Sequence, residues 1–263
     1  MARLVCAGEG QQKMSGKGTV LVTGASRGIG AACARLLARD GYDVAINYAR
    51  SADAAEALAN DVIAGGRKAI AVKADVGTEA DVERMFGTLD AEMPPLAGLV
   101  NNAGILFTKA RLDEMGPDRI NDTLRINVTG SFMCARQAIR RMSTKYGGNG
   151  GAIVNLSSAA ARLGSPNEFI DYAASKGAID AMTLGLSKEV AAEGVRVNAV
   201  RPGLIHTDIH ASSGQPDRVE RLQQFVPMAR GGSAEEVAET IVWLMSDKAS
   251  YVTGALLDVA GGR

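Results

Sequence analysis

Residues 19–30 read Thr-Val-Leu-Val-Thr-Gly-Ala-Ser-Arg-Gly-Ile-Gly (TVLVTGASRGIG), and a helix-like stretch follows to about Arg39. A short apolar run thus ends in three glycines that open a helix. Gly24, Gly28 and Gly30 let the backbone turn sharply and approach a ligand with no Cβ in the way. A helix starting there aims its N-terminal amides and positive dipole end at an anion, of which a pyrophosphate is the natural example. Ser26, Arg27 and Ile29 share the same turn. The spacing is Gly-x-x-x-Gly-x-Gly, not the Gly-x-Gly-x-x-Gly of the commoner dinucleotide fingerprint. A purely structural glycine turn is the alternative that these residues leave open.

Outward from this turn the hydrophobic period keeps switching between strand and helix. Strands are expected at 43–46, 69–72, 99–100, 153–156, 195–200 and 255–259. Helices are expected at 51–64 with Ser51 as N-cap, from Thr78 onward, and at 117–145, 172–192 and 234–246. Such alternation means βαβ units, hence a doubly wound parallel sheet covered by helices on both faces. Ligands of such sheets bind at the carboxyl ends of the strands. No linker, repeat or low-complexity block interrupts the pattern, so residues 18–263 form one domain after a flexible leader, 1–17, in which Met14 is a possible native start.

Composition narrows the function. The 263 residues carry 29 basic and 29 acidic side chains for a net charge of +0, and no basic run marks a nucleic-acid or anionic-membrane partner. Three scattered cysteines (Cys6, Cys33 and Cys134) and two histidines (His206 and His210) make disulfides and a metal site poor expectations. No apolar run approaches the roughly 20 residues of a membrane span, and the N-terminus lacks a signal-peptide core. Leu4-Val5-Cys6 only faintly evokes a lipoprotein site, so a cytoplasmic protein is expected.

Two further stretches carry chemistry. The second strand leads into Asn47-Tyr48-Ala49-Arg50, where an NAD site would place an acid for the ribose 2′-hydroxyl. With no carboxylate there, Arg50 and Arg27 could clamp a 2′-phosphate, which favours NADP(H) over NAD(H). Two solvated arginines are the other reading. In Asp171-Tyr172-Ala173-Ala174-Ser175-Lys176, Tyr172 and Lys176 share one helical face, roughly 5–6 Å apart at Cβ. The lysine favours the phenolate. Bringing a tyrosine from about 10 to about 7 takes roughly 4 kcal/mol, however, so a second cation is expected nearby.

Together these residues resemble the short-chain dehydrogenase/reductase family, over nearly all of residues 18–263. The motifs run in the family's order: TGASRGIG, Asp75-Val76, Asn101-Asn102-Ala103-Gly104, Asn127 in RINVTG, Ser157-Ser158, YAASK, then Arg201-Pro202-Gly203 with Thr207. The resemblance implies a seven-stranded Rossmann-type sheet and hydride transfer between a nicotinamide and a carbonyl or secondary alcohol. It implies that Ser158 bonds the substrate oxygen, Tyr172 acts as general acid and base, and Lys176 bonds the nicotinamide ribose. Asn127 would hold a water behind the lysine, although by itself it is equally a helix residue satisfying its own turn. The oxidised nicotinamide would be the second cation. Asp75 and Val76 would border the adenine, and Asn102, Ala103 and Gly104 the adenosine ribose. Pro202, Gly203, Ile205 and Thr207 would meet the nicotinamide end. The gap from Ser158 to Tyr172 is one residue longer than the family's commonest, which leaves Ser157 as an alternative.

The polar loop 162–169 suits polyol or sugar-like substrates or is simply solvated. Residues 204–226 lack a period and are expected to form a substrate lid, with His206 and His210 on its surface or touching substrate. The helix at 172–192 is apolar nearly all round and rich in small residues, so a subunit interface is expected on it. The stretch 255–259 could bury a second interface, and the family resemblance points to a homotetramer, with a homodimer as the smaller possibility. The alternative to an enzyme is a protein that senses nicotinamide dinucleotides without turnover, but all four catalytic positions are filled. An enoyl reductase would be expected to space its tyrosine and lysine differently.

Overall fold

The computed structural model describes residues 16–263. Cys6, Met14 and most of the expected leader lie outside them. The leader's last residue is pinned, not flexible. The Lys17 backbone N–H donates to the Gly41 carbonyl at 3.2 Å, and its ammonium pairs with Asp40 at 2.9 Å.

The strands are β1 (Thr19–Val22), β2 (Asp43–Tyr48), β3 (Ala69–Lys73), β4 (Leu96–Asn101), β5 (Gly151–Leu156), β6 (Val195–Pro202) and β7 (Leu256–Val259). They pair in parallel in the order β3-β2-β1-β4-β5-β6-β7. The helices are α1 (Gly28–Arg39), α2 (Ala52–Ala64), α3 (Glu79–Glu92), α4 (Pro117–Leu124), α5 (Gly130–Met142), α6 (Ala160–Leu163), α7 (Ile170–Val190), α8 (Asp208–Ser212), α9 (Arg218–Leu222) and α10 (Ala234–Met245).

Successive strand residues point to opposite faces and feed two separate cores. Val20, Val22, Val44, Ile46, Val100 and Val154 pack with α1, α2 and α10. Leu21, Ala45, Leu99 and Ile153 pack with α3, α5 and α7. A strand buried on both sides has no polar face to show, and β1 and β2 are accordingly buried at every position. The strand order reverses between β1 and β4, where the diverging connections open a crevice at the carboxyl ends.

Several expected elements differ in extent. The 117–145 helix is broken: a π-helical turn, Arg125–Thr129, separates α4 from α5. Asn127 lies within this turn, and its side chain bonds both the N–H and the carbonyl of Ile105. Beyond Met142, Ser143 is extended and only a short 3₁₀ turn, Thr144–Tyr146, follows. Helix α7 begins at Ile170 rather than 172, which places Tyr172 in its first turn. Ser51 precedes α2, but its side chain makes no capping hydrogen bond.

The seating of α10 can be tested at Gly98 in β4. A Cβ there would lie 2.0 Å from Met245 Cε and 3.1 Å from the Ala152 carbonyl oxygen. Gly98→Val should therefore cost about 1–3 kcal/mol of overpacking. Urea unfolding would show it as a lower midpoint with an unchanged slope, and an unchanged midpoint would mean that Met245 yields without cost.

Candidate active site

A cavity of about 750 Å³ runs along the carboxyl ends of the strands, from Arg50 past the glycine turn to Tyr172 and Arg218. Its floor is set by the turn after β1. Gly24 and Gly28 have φ of +61° and +56°, a region that L side chains rarely adopt. At Gly30 a Cβ would stand 2.6 Å from Asn102 Nδ2 and 2.7 Å from the Gly24 carbonyl oxygen. Gly30 therefore does not line the cavity but lets α1 close onto the Asn102 turn. The first turn of α1 has no side-chain cap, and Gly28 and Ile29 face the cavity together with Ser26.

Three side chains fix this turn. Asn102 Nδ2 donates to the carbonyls of Thr23 at 2.8 Å and Gly24 at 3.0 Å. The Thr23 hydroxyl accepts from the backbone N–H groups of Asn102 and Ala103, both at 3.0 Å. Asn47 is buried: its Oδ1 accepts from Gly24 N–H at 3.1 Å, and its Nδ2 donates to the Ala74 carbonyl at 3.1 Å. Thr23 was absent from the sequence-based site, although its place just before Gly24 was the available signal.

At one end of the cavity Arg27 and Arg50 are exposed beside Tyr48, and neither is in an ion pair among the described residues. Asp75 and Val76 line the cavity nearby, with Gly104 farther along. Asp75 is tied to Arg125 of the π turn at 2.9 Å, and Arg125 itself lines the cavity, which spacing gave no means to foresee. Past β6, Pro202, Gly203, Ile205 and Thr207 all line the cavity, and the Thr207 methyl lies 3.5 Å from where a Gly28 Cβ would be.

At the other end the reactive side chains converge. Ser158 and Tyr172 both line this end of the cavity, the Ser158 hydroxyl placed to favour the phenolate and accepting from the Ala160 N–H at 3.1 Å. Lys176 is buried, its ammonium donates to the Leu156 carbonyl at 2.6 Å, and it lies 5.5 Å from the centre of the Tyr172 ring. Ser157 is turned the other way, donating to the Lys176 carbonyl at 3.1 Å, so Ser158 is the serine that meets Tyr172. Asn127 does not reach the cavity. Its Oδ1 accepts from Ile105 N–H at 2.8 Å and its Nδ2 donates to Ser175 Oγ at 3.1 Å, behind Gly104.

The expectation that Tyr172 is acidified by Lys176 is reversed by the protein's own groups. Burial pushes the tyrosine up to about 12, against the opposing hydrogen bond from Ser158. Burial likewise pushes Lys176 down to about 8, against the opposing charge of Asp180 one turn further along α7. For each group, removal from water outweighs the opposing interaction, with Ser158 for the tyrosine and with Asp180 for the lysine.

The expected lid holds short helices, α8 and α9, and closes over the cavity through Leu204, Ile209 and Arg218. Arg218 is buried and paired with Glu168 at 2.7 Å, so the polar loop before α7 is engaged, not merely solvated. His206 is exposed, 3.9 Å from Glu220. The side chain of His210 lies outside the described residues. Among the described residues no cluster of three His, Cys, Asp or Glu side chains could hold a metal, and no helix is long and apolar enough to cross a membrane.

A family model described as enoyl-(acyl carrier protein) reductase matches residues 24–263. The chain belongs to the short-chain dehydrogenase/reductase family. It is similar to the "uncharacterized oxidoreductase YgfF" of Escherichia coli, at 58% identity over 92% of this chain and 98% of that protein. It is 39% identical to a 3-oxoacyl-[acyl-carrier-protein] reductase of Synechocystis, over 92% of this chain and 95% of that one. Among solved structures, a blue fluorescent protein from a metagenomic library in complex with NADPH superposes with a TM-score of 0.86 at 35% identity, covering 94% and 98% of the two chains. A Burkholderia cenocepacia short-chain dehydrogenase in complex with NADP gives 0.84 at 34%, covering 92% and 96%. This short-chain dehydrogenase/reductase is thus an oxidoreductase on a single Rossmann-type domain.

The burial of Lys176 has a measurable sign. A lysine held at about 8 against its usual 10.5 binds fewer protons folded than unfolded between those values. Its contribution to stability therefore rises with pH across that window, by on the order of 3 kcal/mol at 1.36 kcal/mol per pKa unit. Urea unfolding of wild type and Lys176→Met should show the difference moving in favour of wild type from pH 8 to 10.5. A flat difference would refute the depressed lysine.

Proposed function

We propose that this enzyme is an NADPH-dependent carbonyl reductase, in reverse a secondary-alcohol dehydrogenase, with Tyr172 as general acid and base. The observation that carries this reading is the convergence of the Ser158 and Tyr172 hydroxyls at one end of the cavity, next to buried Lys176. Two hydroxyls meeting at one point suit a substrate oxygen, which accepts from Ser158 and takes its proton from Tyr172. An enoyl substrate would put the reacting atoms on carbon, where this pair offers less. That favours the 3-oxoacyl-type chemistry named for one relative over the enoyl chemistry in the family model's description.

The cavity fits a nicotinamide dinucleotide. Gly24, Gly28 and the uncapped start of α1 form a cradle with no side chain in the way, suited to a pyrophosphate. Arg27 and Arg50, exposed and without ion-pair partners among the described residues, would hold a 2′-phosphate. NADP(H) in two solved relatives supports that preference. Asp75 and Val76 would border the adenine, and Asn102 and Asn47 would act mainly by bracing the glycine turn. Lys176 would bond the nicotinamide ribose, and Ile205 and Thr207 would meet the carboxamide. The bound dinucleotide supplies or accepts the hydride, while the chain's own residues orient the substrate, exclude water and move the proton.

We infer a homo-oligomer, either a dimer or a tetramer, from α7. Its inner face is buried on the sheet, yet Ala174, Ala181, Leu184 and Gly185 on its outer face are exposed, as is Phe132 of neighbouring α5. Small residues in that stripe would let a second helix approach closely.

The decisive assay is NADPH oxidation against a panel of ketones, 3-oxoacyl thioesters and sugars. Tyr172→Phe should lose at least about a hundredfold in turnover with NADPH binding intact. Unchanged turnover would remove Tyr172 from the chemistry, whereas tight NADPH binding without turnover by the wild type would favour a dinucleotide sensor. In the same assay Arg27→Ala/Arg50→Ala should weaken NADPH binding by about tenfold or more while changing NADH little, since charge-assisted bonds to a phosphate carry about 1.5–3 kcal/mol. Equal loss for both cofactors would overturn the 2′-phosphate assignment.

A further inference from the structure

The residue just before Tyr172 is held by a side chain from a different element, and nothing in the catalytic reading accounts for it. Asp171 is buried, with 3% of its side chain exposed, and its carboxylate takes two bonds from Arg119 of α4: Nε at 2.8 Å and Nη2 at 3.2 Å. The Thr123 hydroxyl adds a third at 3.3 Å. Burial alone would push Asp171 up, but Arg119 and the Tyr172 amide more than reverse this and hold it below the ordinary carboxylate range.

Arg119 does more than neutralise a charge. Its Nη1 donates to the Thr108 carbonyl at 2.7 Å, and its guanidinium lies 5.6 Å from the centre of the Phe107 ring. Those residues belong to the loop that leaves Gly104 and presents Ile105 and Leu106 to the cavity. The loop is also tied to the start of α7, since Ala110 N–H donates to the Glu168 carbonyl at 3.0 Å. One planar fork therefore joins two walls of the cavity, the loop opposite the tyrosine and the helix turn that carries it. A guanidinium suits this task because its rigid donors address a carboxylate and a carbonyl at once.

We propose that Arg119 is a positioning residue that, through Asp171, sets Tyr172 relative to the loop 105–110, whose Ile105 and Leu106 line the cavity. This rests on the proposed role of Tyr172. Small errors in placing a catalytic group cost rate far more than binding, so the effect should fall on kcat and spare KM. Arg119 touches neither Tyr172 nor Ser158 in any hydrogen bond of the structure, and its action is indirect.

The test compares wild type with Arg119→Met, Arg119→Lys and Asp171→Asn, using kcat and KM on the best carbonyl found, NADPH binding by fluorescence, and hydrogen exchange of peptides over 105–111 and 168–175. Arg119→Met should lose about tenfold to a hundredfold in kcat, with KM and the NADPH Kd within about twofold. Exchange should rise in both segments and not in β4 or β5. Arg119→Lys should recover part of the loss, because the ammonium keeps the charge and at least one donor. The Asn variant, which preserves shape, covers the case in which Arg119→Met folds poorly. Unchanged kcat and unchanged exchange in both segments would overturn the proposal. So would a loss spread evenly over NADPH binding, KM and core protection with no rescue by lysine, which marks a scaffold role only. If the wild type turns nothing over, the functional reading fails, while the exchange data still decide whether Arg119 joins the two segments.

Discussion

The site depends on the way three polar side chains, Thr23, Asn47 and Asn102, tie together the ends of β1, β2 and β4. A parallel sheet leaves its strand ends splayed at the switch point, and their backbone groups must find partners there or remain unpaired. Asn102 answers the carbonyls of Thr23 and Gly24, Asn47 answers the Gly24 amide, and Thr23 answers the amides of Asn102 and Ala103. Because these bonds occupy the space beneath the turn, no Cβ is tolerated at Gly24 or Gly30. Glycine is thus required twice over, by the left-handed turn and by the asparagine packed below it. The first turn of α1 is left uncapped above this knot, so an anion-binding surface follows from the way the sheet solves its own hydrogen-bonding problem.

Much of this was legible in the chain. The run TVLV with glycines behind it identifies a strand buried on both faces, and alternation of such runs with helical periods identifies the doubly wound sheet. The Tyr172–Lys176 pair was legible because its i, i+4 spacing sets both on one helical face, whereas spacing alone left Ser157 and Ser158 open. What the sequence hid depends on long-range geometry. That Asn127 and Asn47 also brace the backbone of Ile105 and Gly24 could not be read from their positions in the chain. The π turn in the 117–145 helix was invisible, since no residue type in RINVTG marks where the extra residue of such a turn is inserted. Nothing local marks Arg125, Arg119 and Arg218, because the carboxylates that the fold sets beside them lie 50 to 52 residues away in sequence.

The electrostatics of the Tyr172–Lys176 pair bear on direction. Both groups are withdrawn from water, which favours the neutral form of each, and Lys176 is offset only by the Leu156 carbonyl and the more remote Asp180. With the tyrosine near 12 and the lysine near 8, the protein's own field keeps the phenol protonated at neutral pH. In that state Tyr172 is ready to give a proton to a reduced substrate oxygen, with no further charge needed. Taking a proton from an alcohol requires the phenolate, and its formation in this setting calls for more positive charge than Lys176 alone supplies. An oxidised nicotinamide carries that charge and a reduced one does not, so on the proposed reading each cofactor state favours the form of Tyr172 that its own direction uses. On the same reading, burial that opposes phenolate formation makes the acid–base state of the site follow the cofactor, and a more exposed pair, titrating near its solution values whatever was bound, would lose that dependence.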